Sequence, residues 1–269
     1  MKKILVPTDF SENANQALKY AIEVANKFGS TVYVLHAYQI SSSTGRLISI
    51  DHIVEEDREQ ELSHLLRKVK PLLTGDASIE GYVRRGGSVE TVVSAANKLS
   101  VDIIIMGTTG ASGMKKMFLG STASNVIKNT ELPVLAVPND FTDFEINNIT
   151  VALDDKKVPE TYVLHPIIQL IRGYEAELNL LHVVEDTDSE ESIDPSIQEH
   201  LKKFGVPYTY FKLNSKDAGQ GILEFVDRKN SNILCLIKHH RSWFQDIFHA
   251  SMSERLAFES NIPLLVLHS

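Results

Sequence analysis

The chain is written twice. The run Ile4-Leu5-Val6-Pro7-Thr8-Asp9 returns as Ile149-Thr150-Val151-Ala152-Leu153-Asp154. Val32-Tyr33-Val34-Leu35-His36-Ala37 returns as Leu178-Asn179-Leu180-Leu181-His182-Val183, and Leu132–Val137 returns as Ile262–Leu267, in the same order. Such a repeat restricts the fold to two copies of one supersecondary plan. The copies occupy residues 1–138 and 148–269, and 139–147, opening on Asn139-Asp140-Phe141-Thr142-Asp143, read as a linker. A length of 269 residues suits two domains of ordinary size.

Each copy alternates short apolar runs with amphipathic stretches. In the first, strands are predicted near 3–8, 31–37, 78–84, 102–107 and 133–137, and helices over 12–28, 51–73, 89–99 and 121–130. Ala17, Ala21, Val24, Ala25 and Phe28 recur at helical spacing behind Ser11, a predicted N-cap, and Ser88 is predicted to cap the third helix. In the second copy, strands fall near 149–153, 177–184, 207–212, 232–237 and 263–267. The acidic stretch 185–192 reads as a solvated loop, followed by a helix shorter than its counterpart. Runs such as Ile103-Ile104-Ile105-Met106 carry no polar face, so these strands are buried on both sides. The expected fold class is α/β: two repeated, doubly wound, parallel five-stranded sheets of Rossmann-like type. In such sheets ligands sit beyond the C-terminal strand ends, where the strand order reverses.

Composition narrows the function. A formal net charge of −8 argues against general binding to nucleic acid or to an anionic membrane. The single cysteine, Cys235, allows no intramolecular disulfide, and its place in Ile233-Leu234-Cys235-Leu236-Ile237 makes it a core residue. No segment is long enough to span a membrane, and the opening Met1–Pro7 is too short for a signal-peptide core, so a cytoplasmic location is expected.

The chemistry lies at the end of the fourth strand. Gly107-Thr108-Thr109-Gly110 is followed, after nine residues, by Gly120-Ser121-Thr122 at the start of a helix. Glycines let a backbone turn and approach a ligand without a Cβ. A helix start presents free N–H groups and the positive end of its dipole, which suits phosphate. Ser121 and Thr122 add hydroxyls, and Lys115 and Lys116 lie in the intervening loop. The bland alternative is a tight loop with no ligand.

The spacing Gly107-x-x-Gly110-(nine residues)-Gly120-Ser121 resembles the nucleotide-binding motif of the universal stress protein family, in its ATP-binding branch. Val6-Pro7-Thr8-Asp9-Phe10-Ser11, Leu35-His36-Ala37 and Pro133-Val134-Leu135-Ala136-Val137 are similar to other segments of that family. The resemblance implies an adenine nucleotide alpha hydrolase-like fold and an adenine-nucleotide site. Asp9 would stand by the ribose, with Pro7 and Thr8 lining the pocket and the Ala37 backbone at the adenine edge. Met106 and Gly107 would form the floor, and Gly110, Gly120, Ser121 and Thr122 would hold the phosphates, with Mg2+ accompanying ATP. For Asp9 a helix-capping role is the alternative, for Met106 simple core packing, and His36 reads as a satisfied strand-end histidine. The family also pairs domains through their last strands. Joining Val134–Val137 to Leu264–Leu267 would remove two exposed apolar edges and build an intramolecular pseudo-dimer.

The second copy has lost the motif. Aligning Pro133 with Pro263 sets Gly107 against Ile237, Gly110 against His240, Gly120 against Ala250 and Lys115-Lys116 against Gln245-Asp246. The new side chains are expected to fill the space that phosphate needs. The loop Lys238-His239-His240-Arg241-Ser242-Trp243-Phe244 leaves its histidines and Trp243 unexplained, and an altered ligand or partner site is one reading of it.

The resemblance implies a nucleotide-dependent regulatory module in stress adaptation, and little or no turnover is expected of it. No Gly-x-x-x-x-Gly-Lys-[Ser/Thr] run occurs, and residues 107–122 contain no Asp or Glu to orient an attacking water. A slow ATPase or autophosphorylating enzyme is one alternative. Another is a scaffold for an unidentified protein partner, with Ser41-Ser42-Ser43-Thr44-Gly45 as a candidate mobile loop. Self-association into a homo-oligomer is left open.

Overall fold

The computed structural model describes residues 1–40, 47–108, 120–153, 161–184, 193–215, 217–238 and 261–269. The first half contains strands β1 (Lys3–Thr8), β2 (Thr31–Tyr38), β3 (Ser78–Arg85), β4 (Ile103–Gly107) and β5 (Val134–Val137). The second contains β6 (Asn148–Leu153), β7 (Glu177–Val184), β8 (Thr209–Asn214), β9 (Ile233–Lys238) and β10 (Leu264–His268). The helices are α1 (Glu12–Phe28), α2 (Leu47–Val69), α3 (Ser88–Leu99), α4 (Ser121–Asn129), α5 (His165–Tyr174), α6 (Pro195–Lys203) and α7 (Ala218–Arg228).

All these strands join one sheet in the order β3-β2-β1-β4-β5-β10-β9-β6-β7-β8. Within each half every pairing is parallel. The seam between halves is antiparallel, with Leu264 opposite Ala136, Leu265 opposite Leu135 and Val266 opposite Val134. The expected pairing of last strands is therefore present, and it merges two five-stranded sheets into a continuous one. Neither β5 nor β10 is left as an open apolar edge.

The local rules place α1 well. Ser11 accepts a hydrogen bond from the Ala14 N–H, and Gly29, in the left-handed conformation, closes the helix. For α3 the expectation needs correction. Ser88 is the first helical residue, and Gly87 precedes it as N-cap without a side-chain hydrogen bond. The residues over 51–73 also divide differently: α2 begins at Leu47, and Lys70–Leu72 form a 3-10 turn around Pro71.

Alternation along the strands sorts side chains onto two faces. Ile4, Val6, Ile103 and Ile105 meet α1 and α2, in a buried cluster that continues through Leu265 to α5 and α6. On the other face Leu5, Ile104 and Met106 meet α3 and α4. The second half has its own cluster under α7. The first cluster draws buried residues from both halves without a break, so the pair shares one core.

The connection between halves is packed. Phe141 is buried, and the rings of Phe141 and Phe144 lie 6.0 and 5.9 Å from that of Tyr20 in α1. Gln16 Nε2 donates to the Phe141 carbonyl. Phe28 of α1 meets Tyr174 edge-on at 6.0 Å, and a Cβ on Gly173 would sit 2.4 Å from the Phe28 ring. Gly173 leaves the space that the Phe28 ring occupies. The acidic stretch 185–192 and the Ser41–Gly45 loop lie outside the described residues.

Candidate functional site

Strand order reverses between β1 and β4. The chain runs outward from β1 through β2 to β3, then returns to place β4 and β5 on the other side of β1. Leu5 stands opposite Ile104, so Thr8 and Gly107 end their strands side by side. His36 stands opposite Thr8, and Ala37 lies one residue beyond. Pro7, Thr8, Ala37 and Gly107 are thus gathered at the strand ends, where a doubly wound sheet offers its ligand crevice.

The turn after β1 is held by short-range bonds. Thr8 Oγ1 accepts from the Phe10 N–H at 3.0 Å, and Asp9 Oδ1 accepts from the Ser11 N–H at 3.1 Å. Phe10 takes a positive φ of 63°. His36 fixes this turn from the neighbouring strand. Its Nδ1–H donates to the Thr8 carbonyl at 2.8 Å, and its ring lies 4.4 Å from that of Phe10. A carbonyl only accepts, so Nδ1 carries the proton. His36 is buried and satisfied, as expected. Ser11, rather than Asp9, caps α1, which leaves Asp9 on the exposed side of the turn.

The two ends of the glycine motif meet. The Gly120 N–H donates to the Thr108 carbonyl, and the Thr108 N–H donates to the Val137 carbonyl at 3.1 Å. The start of α4 is thereby tied directly to the end of β4. Gly120 is the N-cap and has no side chain with which to cap the helix, and Ser121 and Thr122 are exposed in its first turn. The leading N–H groups of a helix have no partner within it, and the dipole there is positive. Thr109, Gly110, Lys115 and Lys116 lie outside the described residues.

Packing fixes the residue type at two candidate positions, Gly107 and Met106. Gly107 has no positive φ. Its missing Cβ would lie 2.3 Å from Asn13 Oδ1 and 3.1 Å from the Asn13 main-chain oxygen. Glycine at 107 is required by the close approach of α1. Met106 is 4% exposed, and its side chain packs in the core beneath α3 and α4.

Asn13 escaped the sequence reading. It is buried in the first turn of α1, and its Nδ2 donates to the Val137 carbonyl at 3.2 Å. One carbonyl at the end of β5 thus anchors both α1 and Thr108. Nothing in the sequence separates Asn13 from a solvated first-turn asparagine.

In the second half, strand register confirms the alignment of the two copies. Gly107 pairs with Val137, and Ile237 pairs with Leu267. Ile237 is buried in the shared core, so its side chain fills protein interior. Cys235 is fully buried, and burial pushes its thiol well above the ordinary range, which removes it as a nucleophile. Asp154 and residues 239–260, with the unexplained histidines and Trp243, lie outside the described residues. Among the described residues no three His, Cys, Asp or Glu side chains gather as a metal site. No helix among them is long and apolar enough to cross a membrane.

A model of the universal stress protein family matches residues 1–138 and again 145–268. The chain belongs to the universal stress protein family, as a tandem member. Universal stress protein MJ0531 of Methanocaldococcus jannaschii is 35% identical over 138 residues, 51% of this chain and 81% of that protein. Universal stress protein MJ0577 of the same organism is 32% identical over 152 residues, 51% of this chain and 94% of that protein. A crystal structure of a universal stress protein from Archaeoglobus fulgidus covers 99% of this chain and 96% of its own, with a TM-score of 0.74 at 21% identity. That likeness shows the fold over both halves.

Proposed function

We propose that the first half binds one adenine nucleotide, ATP in the leading case, and that the second half binds none in the same manner. The carrying observation is the hydrogen bond from Gly120 to Thr108. It sets a helix start whose N-cap is a glycine against the end of β4, at the strand-order switch that also holds the exposed Asp9. An anion-receptive group and a carboxylate suited to accept from ribose hydroxyls thus belong to the same strand-order switch. The likeness of Gly107–Ser121 to the family's ATP-binding motif supports the same choice of ligand. Mg2+ would accompany the triphosphate, held mainly through the phosphate oxygens.

The function is a nucleotide-dependent regulatory one, with little turnover. A phosphate loop without Asp or Glu lacks a group to activate water, so occupancy is the signal and hydrolysis is not. Mass spectrometry of the supernatant after denaturation tests what the protein carries, and calorimetric titration with Mg-ATP tests stoichiometry. One ATP per chain is expected; two equivalent sites, or none, would overturn this reading. Asp9→Ala is expected to weaken ATP binding by roughly ten- to a hundredfold, the range for losing a hydrogen bond to a charged group. Ser11 keeps its own side-chain cap on α1, and the lost bond from the Ser11 N–H to Asp9 is exposed, so the variant should melt close to the parent. Unchanged affinity in Asp9→Ala would remove that residue from the site.

A further inference from the structure

The far end of α4 is capped from the other half of the chain. Lys238, the last residue of β9, reaches across the seam and donates through Nζ to the Ile127 carbonyl at 3.1 Å and the Lys128 carbonyl at 3.5 Å. Both carbonyls lie in the last turn of α4. A helix leaves its final carbonyls without internal partners, and a cation there also complements the dipole. Here the usual local solution is missing: the residue after the helix, Thr130, is extended, with no left-handed closing residue.

The seat of α4 is also shared. Its buried residues Ala123, Val126 and Ile127 pack in one cluster with Val266 and Leu264 of β10. A nine-residue helix is not stable alone, so these tertiary contacts decide where it sits. Lys238 is the counterpart of Thr108, the residue whose carbonyl holds the start of α4. One copy therefore anchors the beginning of this helix, and the corresponding position of the other copy anchors its end. Around the ammonium stand Glu131 and Lys128 of the first half and His268 of β10.

We infer that Lys238 is a positioning residue for the nucleotide site of the first half. By holding α4 at its C-terminus, it keeps the N-terminal N–H groups where phosphates dock. Nucleotide binding and the pairing of the halves then stabilise each other, since linkage between two equilibria is reciprocal. This rests on the nucleotide reading above. It assigns the second half a task that survives the loss of its own glycine motif.

The test uses the full chain and three variants. Lys238→Thr restores the residue of the intact copy, Lys238→Gln keeps most of the stem without charge, and Lys238→Arg keeps the cation. Amide hydrogen exchange is read without nucleotide, and Mg-ATP affinity by calorimetry. Lys238→Thr and Lys238→Gln should raise α4 exchange about tenfold while the central strands stay protected. Their ATP affinity should fall about two- to tenfold, the range for a charge at a helix end. Lys238→Arg should restore most of both. Unchanged α4 exchange in the neutral variants would overturn the cap, and faster exchange with parental affinity would overturn the coupling. Absence of ATP binding by the parent chain would instead strike the nucleotide reading and its link to affinity, while exchange would still decide the cap.

Discussion

Leu265→Asp is expected to prevent folding of the whole chain, not of its second half alone. Leu265 is fully buried at the seam, opposite Leu135 and beside Cys235. The change forfeits about 1.5–3 kcal/mol of apolar burial. It also forces a carboxyl group into the core, at a further cost of several kcal/mol whether it stays charged or takes up a proton. Those losses approach the ~5–15 kcal/mol by which a folded protein exceeds its unfolded state. The damage should spread because the cluster containing Leu265 runs unbroken from Ile4 to Leu267. Leu265→Ala is the graded control, with an expected loss of about 2–5 kcal/mol and one cooperative urea transition. Circular dichroism and intrinsic fluorescence should report the same midpoint for it. A Leu265→Asp protein whose first half stays folded and binds ATP as the parent does would show that the halves are independent.

Gly107→Ala is the second large effect, and it should fall on stability and nucleotide binding together. A Cβ at 107 would stand 2.3 Å from Asn13 Oδ1 and 2.7 Å from its Cγ. The side chain has little room to yield, because its Nδ2 is bonded to the Val137 carbonyl and the main-chain oxygen waits at 3.1 Å. Either Asn13 gives up that buried bond or the first turn of α1 moves off β4. Overpacking of this kind costs about 1–3 kcal/mol. Movement of α1 would carry the Asp9–Ser11 turn with it, so ATP affinity should drop by more than about tenfold, an amount that 1.4 kcal/mol already produces. The double variant Gly107→Ala/Asn13→Ala removes the obstructing side chain and should recover part of the stability, the non-additivity that marks direct contact. Strictly additive losses would sink this account of why residue 107 is a glycine.

The repeat in the sequence carried most of the architecture. Apolar runs without a polar face announced buried parallel strands, and β1, β7 and α1 lie within one residue of where pattern and capping put them. The start of β8 lies two residues later than read, after Pro207, which has no N–H to contribute to a ladder. Capping of α3 went to Gly87 because Ser88 already carries helical conformation. Around the candidate site, the strand ends at Thr8 and Gly107 and the helix start at Gly120–Ser121 were legible, because their signals are local: glycine spacing, a strand before, a helix after.

By itself, then, the sequence determined two copies of a doubly wound plan, the strands that would pair at the seam, and the one copy that keeps a phosphate-type motif. Those follow from periodicity and from residue types within a few positions of each other. Tertiary structure alone decided that Gly107 is needed for the approach of Asn13, that Met106 turns into the core, and that Lys238 caps a helix 111 positions away in the chain. Each depends on what a side chain meets across the sheet, and neither propensity nor spacing carries that information.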